Sequence, residues 1–155
     1  MQSHPLERKI PPVVLFVLAL IAQYFSQQWF ESLTVFWPYP LVGYGICLLF
    51  SLGFGLGGVW AFYVAKTTVD PIRLEKTSTM VTHGVFRFSR NPMYLGLSLL
   101  LLGIAYYLQN VAALVVVWLF VLYLQRFQIE PEERFLTQHF GDVYRRYQAE
   151  VRRWL

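Results

Sequence analysis

The chain has 155 residues, of which 56% are hydrophobic and only 14% charged, whereas an ordinary soluble domain is about a quarter charged. This length fits one compact helical domain and excludes a membrane part joined to a separate soluble enzyme, so any chemistry has to sit on the membrane bundle itself. The formal net charge of +4 calls for no nucleic acid, and the single Cys47 excludes an internal disulfide and any multi-cysteine metal site.

Arg8 and Lys9 precede an apolar stretch, as in a signal peptide, but the stretch runs on to Phe30 without a small-x-small cleavage site. Residues 11–30 therefore read as a retained first helix, dense in apolar residues over 13–22, with Gln23, Gln27, Gln28, Tyr24 and Trp29 taken as interfacial. Residues 31–40, with Trp37, Pro38 and Pro40, read as a loop. The next 25 residues, 41–65, are uncharged and long enough to cross with some tilt. Their Gly53 and Gly57 form a small-xxx-small pair, which favours packing on a helix of the same chain over dimerisation.

Residues 91–125 form 35 uncharged positions, which as one helix would extend about 52 Å and overshoot the bilayer. Two antiparallel helices, 92–108 and 111–124, solve this, with Gln109-Asn110 as the turn and Pro92 in a first helical turn, where its missing N–H is harmless. Beyond them, Leu136, Phe140, Tyr144, Tyr147, Val151 and Trp154 recur at helical spacing, an amphipathic stripe that Gly141 interrupts or bends. The expected fold is thus an all-α membrane bundle of about four transmembrane helices in a single domain.

All 13 Lys and Arg support that layout. They lie before the first helix, between the second and third, and after the fourth, whereas residues 31–40 and the 109–110 turn have none. The positive-inside rule then puts both termini and the segments 66–91 and 125–155 in the cytoplasm.

Few residues are left for chemistry. There is no GxGxxG, P-loop or GxSxG motif, and His4, His83 and His139 lack ligand spacing, so no metal is expected. No acid occurs between Glu31 and Asp70 or between Glu75 and Glu130, which argues against the ion relay of a transporter. Interest concentrates in residues 77–94 and 128–136. Gly84 suits a turn or a close approach to a ligand, Arg87 and Arg90 suit a carboxylate or phosphate, and Phe86 and Tyr94 offer aromatic faces. The same residues also suit a solvated basic loop with membrane-border anchors.

The run Thr79-Met-Val-Thr-His-Gly-Val-Phe-Arg-Phe-Ser-Arg-Asn-Pro-Met-Tyr-Leu-Gly96, an apolar hairpin, then Glu130-x-Glu-Glu-x-x-Leu136, Phe140-Gly-x-x-Tyr-x-x-Tyr147 and Val151-Arg-Arg-Trp154 resemble the isoprenylcysteine carboxyl methyltransferase and phospholipid methyltransferase superfamily. The resemblance spans residues 66–155 and implies an integral membrane enzyme that uses S-adenosylmethionine. It implies a cofactor pocket built from Ser78, Thr79, Met80 and Val81, from Gly84 and Phe86, from Arg90, Asn91, Pro92, Met93 and Tyr94, and from Glu132. Within it, Arg90 and Glu132 are the residues expected to act in the reaction, and Glu133, one helical step on, is expected to point elsewhere. A lipophilic or lipid acceptor would enter sideways from the membrane. Similar short proteins occur in bacteria, which implies the inner membrane as location.

Two positions depart from the family pattern. Asn91 stands where the family has a histidine, and Gln128 where the prenylcysteine enzymes have a substrate-linked arginine, leaving Arg126 as the nearest basic candidate for substrate binding. Membrane sterol reductases, which bind a nicotinamide cofactor, resemble the C-terminal half as well, and a non-enzymatic helical scaffold is the third reading.

Overall fold

The computed structural model describes Glu7 and residues 9–65 and 80–155. Six helices carry the fold: α1 (Pro12–Trp29), α2 (Pro40–Val64), α3 (Pro92–Leu108), α4 (Val111–Tyr123), α5 (Glu130–Phe140) and α6 (Asp142–Glu150). Among the described residues α1, α2 and the continuous helix Val111–Phe140 are long and apolar enough to cross a membrane, and α3 is a shorter apolar helix. Leu49, Trp60 and Trp118 point outward unpaired with any core, which lipid accommodates and water would not. The chain is an all-α integral membrane bundle.

The helix α1 packs on α3 and α4, and α2 packs chiefly on α3. Each contact has a local cause. Gly96 lets α3 ride on the α2 backbone, since a Cβ there would lie 2.9 Å from the Ser51 carbonyl oxygen and 3.0 Å from the Gly55 nitrogen. The glycines of α2 do pack within the chain, but in a different register from the expected pair: Gly57 faces Val85, whereas Gly53 has open space at its Cβ position.

Gln23 departs from its expected interfacial place. It is buried, and its Nε2 donates to the carbonyls of Leu101 (3.0 Å) and Ala113 (3.3 Å). An amide inside a low-dielectric bundle is tolerable only with such partners, and here it fastens α1 to both arms of the hairpin.

The hairpin turn forms as expected. Gln109 takes a left-handed conformation (φ 53°), and Asn110 caps α4 by accepting from the Ala112 and Ala113 amides. The fourth helix, however, does not end at residue 124. It passes through a π-helical turn, Leu124–Ile129, into α5. Pro131 supplies a reason: it lacks an N–H and its ring crowds the carbonyl one turn back, and a widened turn relieves both. Gly141 (φ 56°) then breaks α5 from α6. The stripe runs past its helix, because Val151 and Trp154 lie in the non-helical segment that follows α6.

This connectivity gathers the starts of α1 and α3 and the ends of α2 and α4 at one end of the bundle. Gln128 donates to the Ile10 carbonyl at 2.7 Å, and Arg134 pairs with Glu7 at 2.7 Å. Gln128 therefore fastens the segment before α1.

Candidate functional site

At that end the chain turns a tight corner. Gly84 (φ 63°) opens a short 3-10 helix, Gly84–Arg87, and nothing stands near its Cβ position, so it serves the turn and not a close packing contact. Phe86 is buried edge-on against Phe62, with ring centroids 5.3 Å apart. Asn91 precedes the helix, Pro92 occupies its first turn, and Tyr94 follows on the inner face. From there the Tyr94 hydroxyl donates to Glu132 Oε1 at 2.5 Å. The corner and the acidic cluster are therefore joined by a direct bond.

Arg90, which suits a carboxylate or phosphate of a ligand, is engaged within the chain. One terminal nitrogen donates to Glu133 Oε1 (2.7 Å), and the other to the carbonyls of Val151 (2.6 Å) and Gln148 (3.1 Å). Its Nε is buried and without a partner among the described residues. Arg153 grips the same carboxylate from the other side at 2.7 and 3.2 Å. Around this triad the segment after α6 is stitched to the corner: the Arg90 amide donates to the Arg152 carbonyl (3.0 Å), and the Asn91 and Ser89 side chains to that of Arg153 (3.0 and 3.3 Å).

Behind the corner lies a cavity of about 460 Å³, within the usual size range of small-molecule sites. Met80, Val81 and Phe86 line it on one side, Arg90 to Tyr94 on another, and Glu132 on a third. On α2 it extends from Val59 through Leu56 to Ser51, with Val13 of α1 and Leu97 of α3 also exposed to it. One end is thus polar and aromatic, and the other is apolar.

Of the residues expected at the site, Ser78 and Thr79 lie outside the described residues. Gly84 shapes the turn without lining the cavity, and Arg126 pairs with Glu130 at 2.7 Å, away from it. Glu133, expected to point elsewhere, lines the same cavity as Glu132, and sequence reasoning also missed Arg153, Tyr144 and Tyr147. The two tyrosines could have been found from the amphipathic stripe, which turns them toward the bundle; Glu133 had no such signal.

The walls are chemically quiet. Burial pushes the Tyr147 phenol up to about 12, and its hydroxyl donates to the Phe86 carbonyl at 2.7 Å. Burial likewise raises Tyr144, with the negative charge of Glu133 adding to it, while its hydrogen bond to Glu133 raises Arg153. No cluster of three metal-ligating side chains occurs among the described residues.

Comparison with known proteins is informative at this point. Residues 40–143 match the phospholipid methyltransferase family. A protein of Haemophilus influenzae that bears no functional name is 49% identical over 63 residues, which is 41% of this chain and all of that protein. Protein-S-isoprenylcysteine O-methyltransferase A of Arabidopsis thaliana is 42% identical over 89 residues, 55% of this chain and 43% of that one. The probable protein-S-isoprenylcysteine O-methyltransferase of Oryza sativa subsp. indica is 38% identical over 88 residues, again 55% of this chain and 44% of that one. The chain spans less than half the length of these two plant relatives, and no solved structure matches it.

Proposed function

Since the chain belongs to the phospholipid methyltransferase family, we propose that this membrane methyltransferase draws its methyl group from S-adenosylmethionine and delivers it to a lipophilic acceptor reaching the cavity from the bilayer. The Tyr94–Glu132 bond carries the reading, because it sets a carboxylate at the polar end of a cavity whose other end is walled mainly by apolar side chains of α2 and α3. A purely structural crosslink needs no cavity beside it.

The residues present suit the cofactor. It combines a cation, a carboxylate and an adenine ring, and the polar end offers an anionic side chain, one unpartnered buried donor (Arg90 Nε) and the aromatic faces of Phe86, Tyr144 and Tyr147. In this reading Glu132 holds the amino or ribose group, Tyr94 orients Glu132, and Arg90 presents its Nε–H to an acceptor atom. Met80, Val81 and Met93 exclude water beside them, and Asn91 and Pro92 hold the corner. The sulfonium supplies a methyl group that is already activated, so the protein needs to align, to desolvate and, for an acceptor that carries a proton, to take that proton on Glu132. No role falls to Arg126.

The acceptor's route follows from packing. The cavity lies between the start of α1 and the middle of α2, and these two helices pack on α3 and not chiefly on each other. With the basic residues collected at this end, the site faces the cytoplasm, at the inner membrane in a bacterium.

Titrating the purified protein in detergent with S-adenosylmethionine, S-adenosylhomocysteine and NADPH tests the assignment. Saturable binding of the first two is expected. Binding of NADPH alone would make the protein a reductase, and binding of none would leave a scaffold.

A further inference from the structure

Three walls meet at Glu133. It sits on α5 next to Glu132, which Tyr94 holds; it bonds Arg90, four residues before Tyr94 in the corner; and it bonds Arg153, in the segment that follows α6. Two adjacent carboxylates thus perform different tasks. Glu132 is joined to a phenol beside the cavity, whereas Glu133 lies between two guanidinium groups and is buried, with its side chain 10% exposed.

The third wall depends on this meeting point. The α6 tyrosines Tyr144 and Tyr147 line the cavity, and beyond the Tyr147–Phe86 bond the segment after α6 is attached to the corner by donors from Ser89, Arg90 and Asn91. Carbonyl oxygens accept those bonds, so at the corner the segment's side chains contribute chiefly Arg153, while Trp154 packs on the bundle core. Two like charges, Arg90 and Arg153, converge here and need the Glu133 carboxylate between them.

We propose that Glu133 and Arg153 are positioning residues of the site, which with Arg90 clamp α6 and the segment after it as the outer wall of the cavity, so that cofactor affinity depends on the clamp itself, through Arg153 as well, which does not line the cavity. The proposal rests on the cofactor reading above and goes beyond it, because it makes residues 148–154 part of the binding site. It also gives Glu133 a role that a residue pointing away from the site would not have.

The test compares Glu133→Gln, Arg153→Lys and a control, Arg145→Gln, whose exposed partner Asp142 lies on the same helix but far from the triad. S-adenosylhomocysteine affinity is measured by calorimetry in detergent, and amide hydrogen exchange is followed with and without that ligand. Glu133→Gln should weaken binding by about tenfold or more, and Arg153→Lys by less, since an ammonium cannot span both carboxylate oxygens. Exchange should quicken in residues 148–154 and 89–91 but not in α2 or α3, and the ligand should protect residues 148–154 in the wild type and fail to do so in Glu133→Gln. Arg145→Gln should match the wild type throughout. If Glu133→Gln proves too unstable to purify, Arg153→Lys alone decides, because it keeps the charge. Unchanged affinity with a loosened segment would overturn the proposal, as would an unaltered exchange pattern in residues 148–154. A wild-type protein that binds no S-adenosylhomocysteine would instead overturn the cofactor reading, and that is seen before any substitution is made.

Discussion

The two ends of the bundle solve one problem in opposite ways. At the end away from the site, where α1 and α3 finish, every join is made with neutral groups. Asn110 caps α4 and donates to the Phe30 carbonyl (2.9 Å), Gln109 donates to that of Trp37 (2.9 Å), and Tyr106 stacks on Trp37 and donates to Pro38 (2.9 Å). At the site end ionic joins are added to the neutral ones, Arg90 and Arg153 closing on Glu133, and they border an open cavity. Neutral joins can be complete within the chain. Ionic joins around a cavity leave charge available to a ligand, which is the arrangement a binding site requires.

Arg90→Ala should break the contrast most severely. It leaves Glu133 half-compensated and two carbonyls without their donor, and is expected to cost about 3–5 kcal/mol of stability in chemical denaturation, with cofactor binding lost. A loss below about 1 kcal/mol would mean that the clamp is loosely solvated. Glu132→Ala sharpens the contrast from the other side. It should lower S-adenosylhomocysteine affinity by about 1–3 kcal/mol in calorimetry, with little change in melting temperature. Equal damage to fold and binding would make Glu132 a structural residue.

Asn110→Ala tests the neutral end. Loss of the helix cap and of the bond to Phe30 should lower stability by about 1–2 kcal/mol while cofactor affinity stays that of the wild type. Any effect on affinity would mean that the two ends are coupled. The smallest effect concerns pH. Because the Tyr147 phenol is raised to about 12, its contribution is complete below its ordinary value near 10 and is lost as pH rises through the folded value. Thermal stability should therefore be insensitive to this group at neutral pH and fall in the alkaline range, and Tyr147→Phe should flatten that fall.

Much of this was legible in the residue order. The hairpin follows from 35 uncharged residues that no single span can use, and the break at Gly141 from one glycine in an amphipathic stripe. The Arg-Asn-Pro-x-Tyr corner and the acidic cluster were visible as separate runs, and the Tyr94–Glu132 bond joins them. What was not legible depends on encounters between distant segments. Gln23 reads as interfacial until α3 and α4 supply carbonyls to it, and Arg90 reads as available until residues 148 and 151 approach from some 60 positions away. Glu132 and Glu133 have the same chemistry and adjacent places, so only the rotation of α5 distinguishes them. The continuation of the helix past residue 124 was hidden because charges beginning at Arg126 mark the membrane border equally well for a helix that stops and for one that goes on.

That rotation is set by the π-helical turn Leu124–Ile129. A π turn holds one residue more than an α turn, so it works as a phase shifter between the membrane span and the site. Rewinding it as ordinary α-helix with every residue kept would turn everything downstream by about 100° without altering any side chain of the site. The two glutamates would then be dealt to different neighbours, neither Tyr94 nor Arg90 would find its partner, and a protein with its full set of site residues would have no assembled site. Insertions in these six residues are thus expected to be tolerated far less than their plain composition, half apolar and half polar, suggests, because what they encode is an angle.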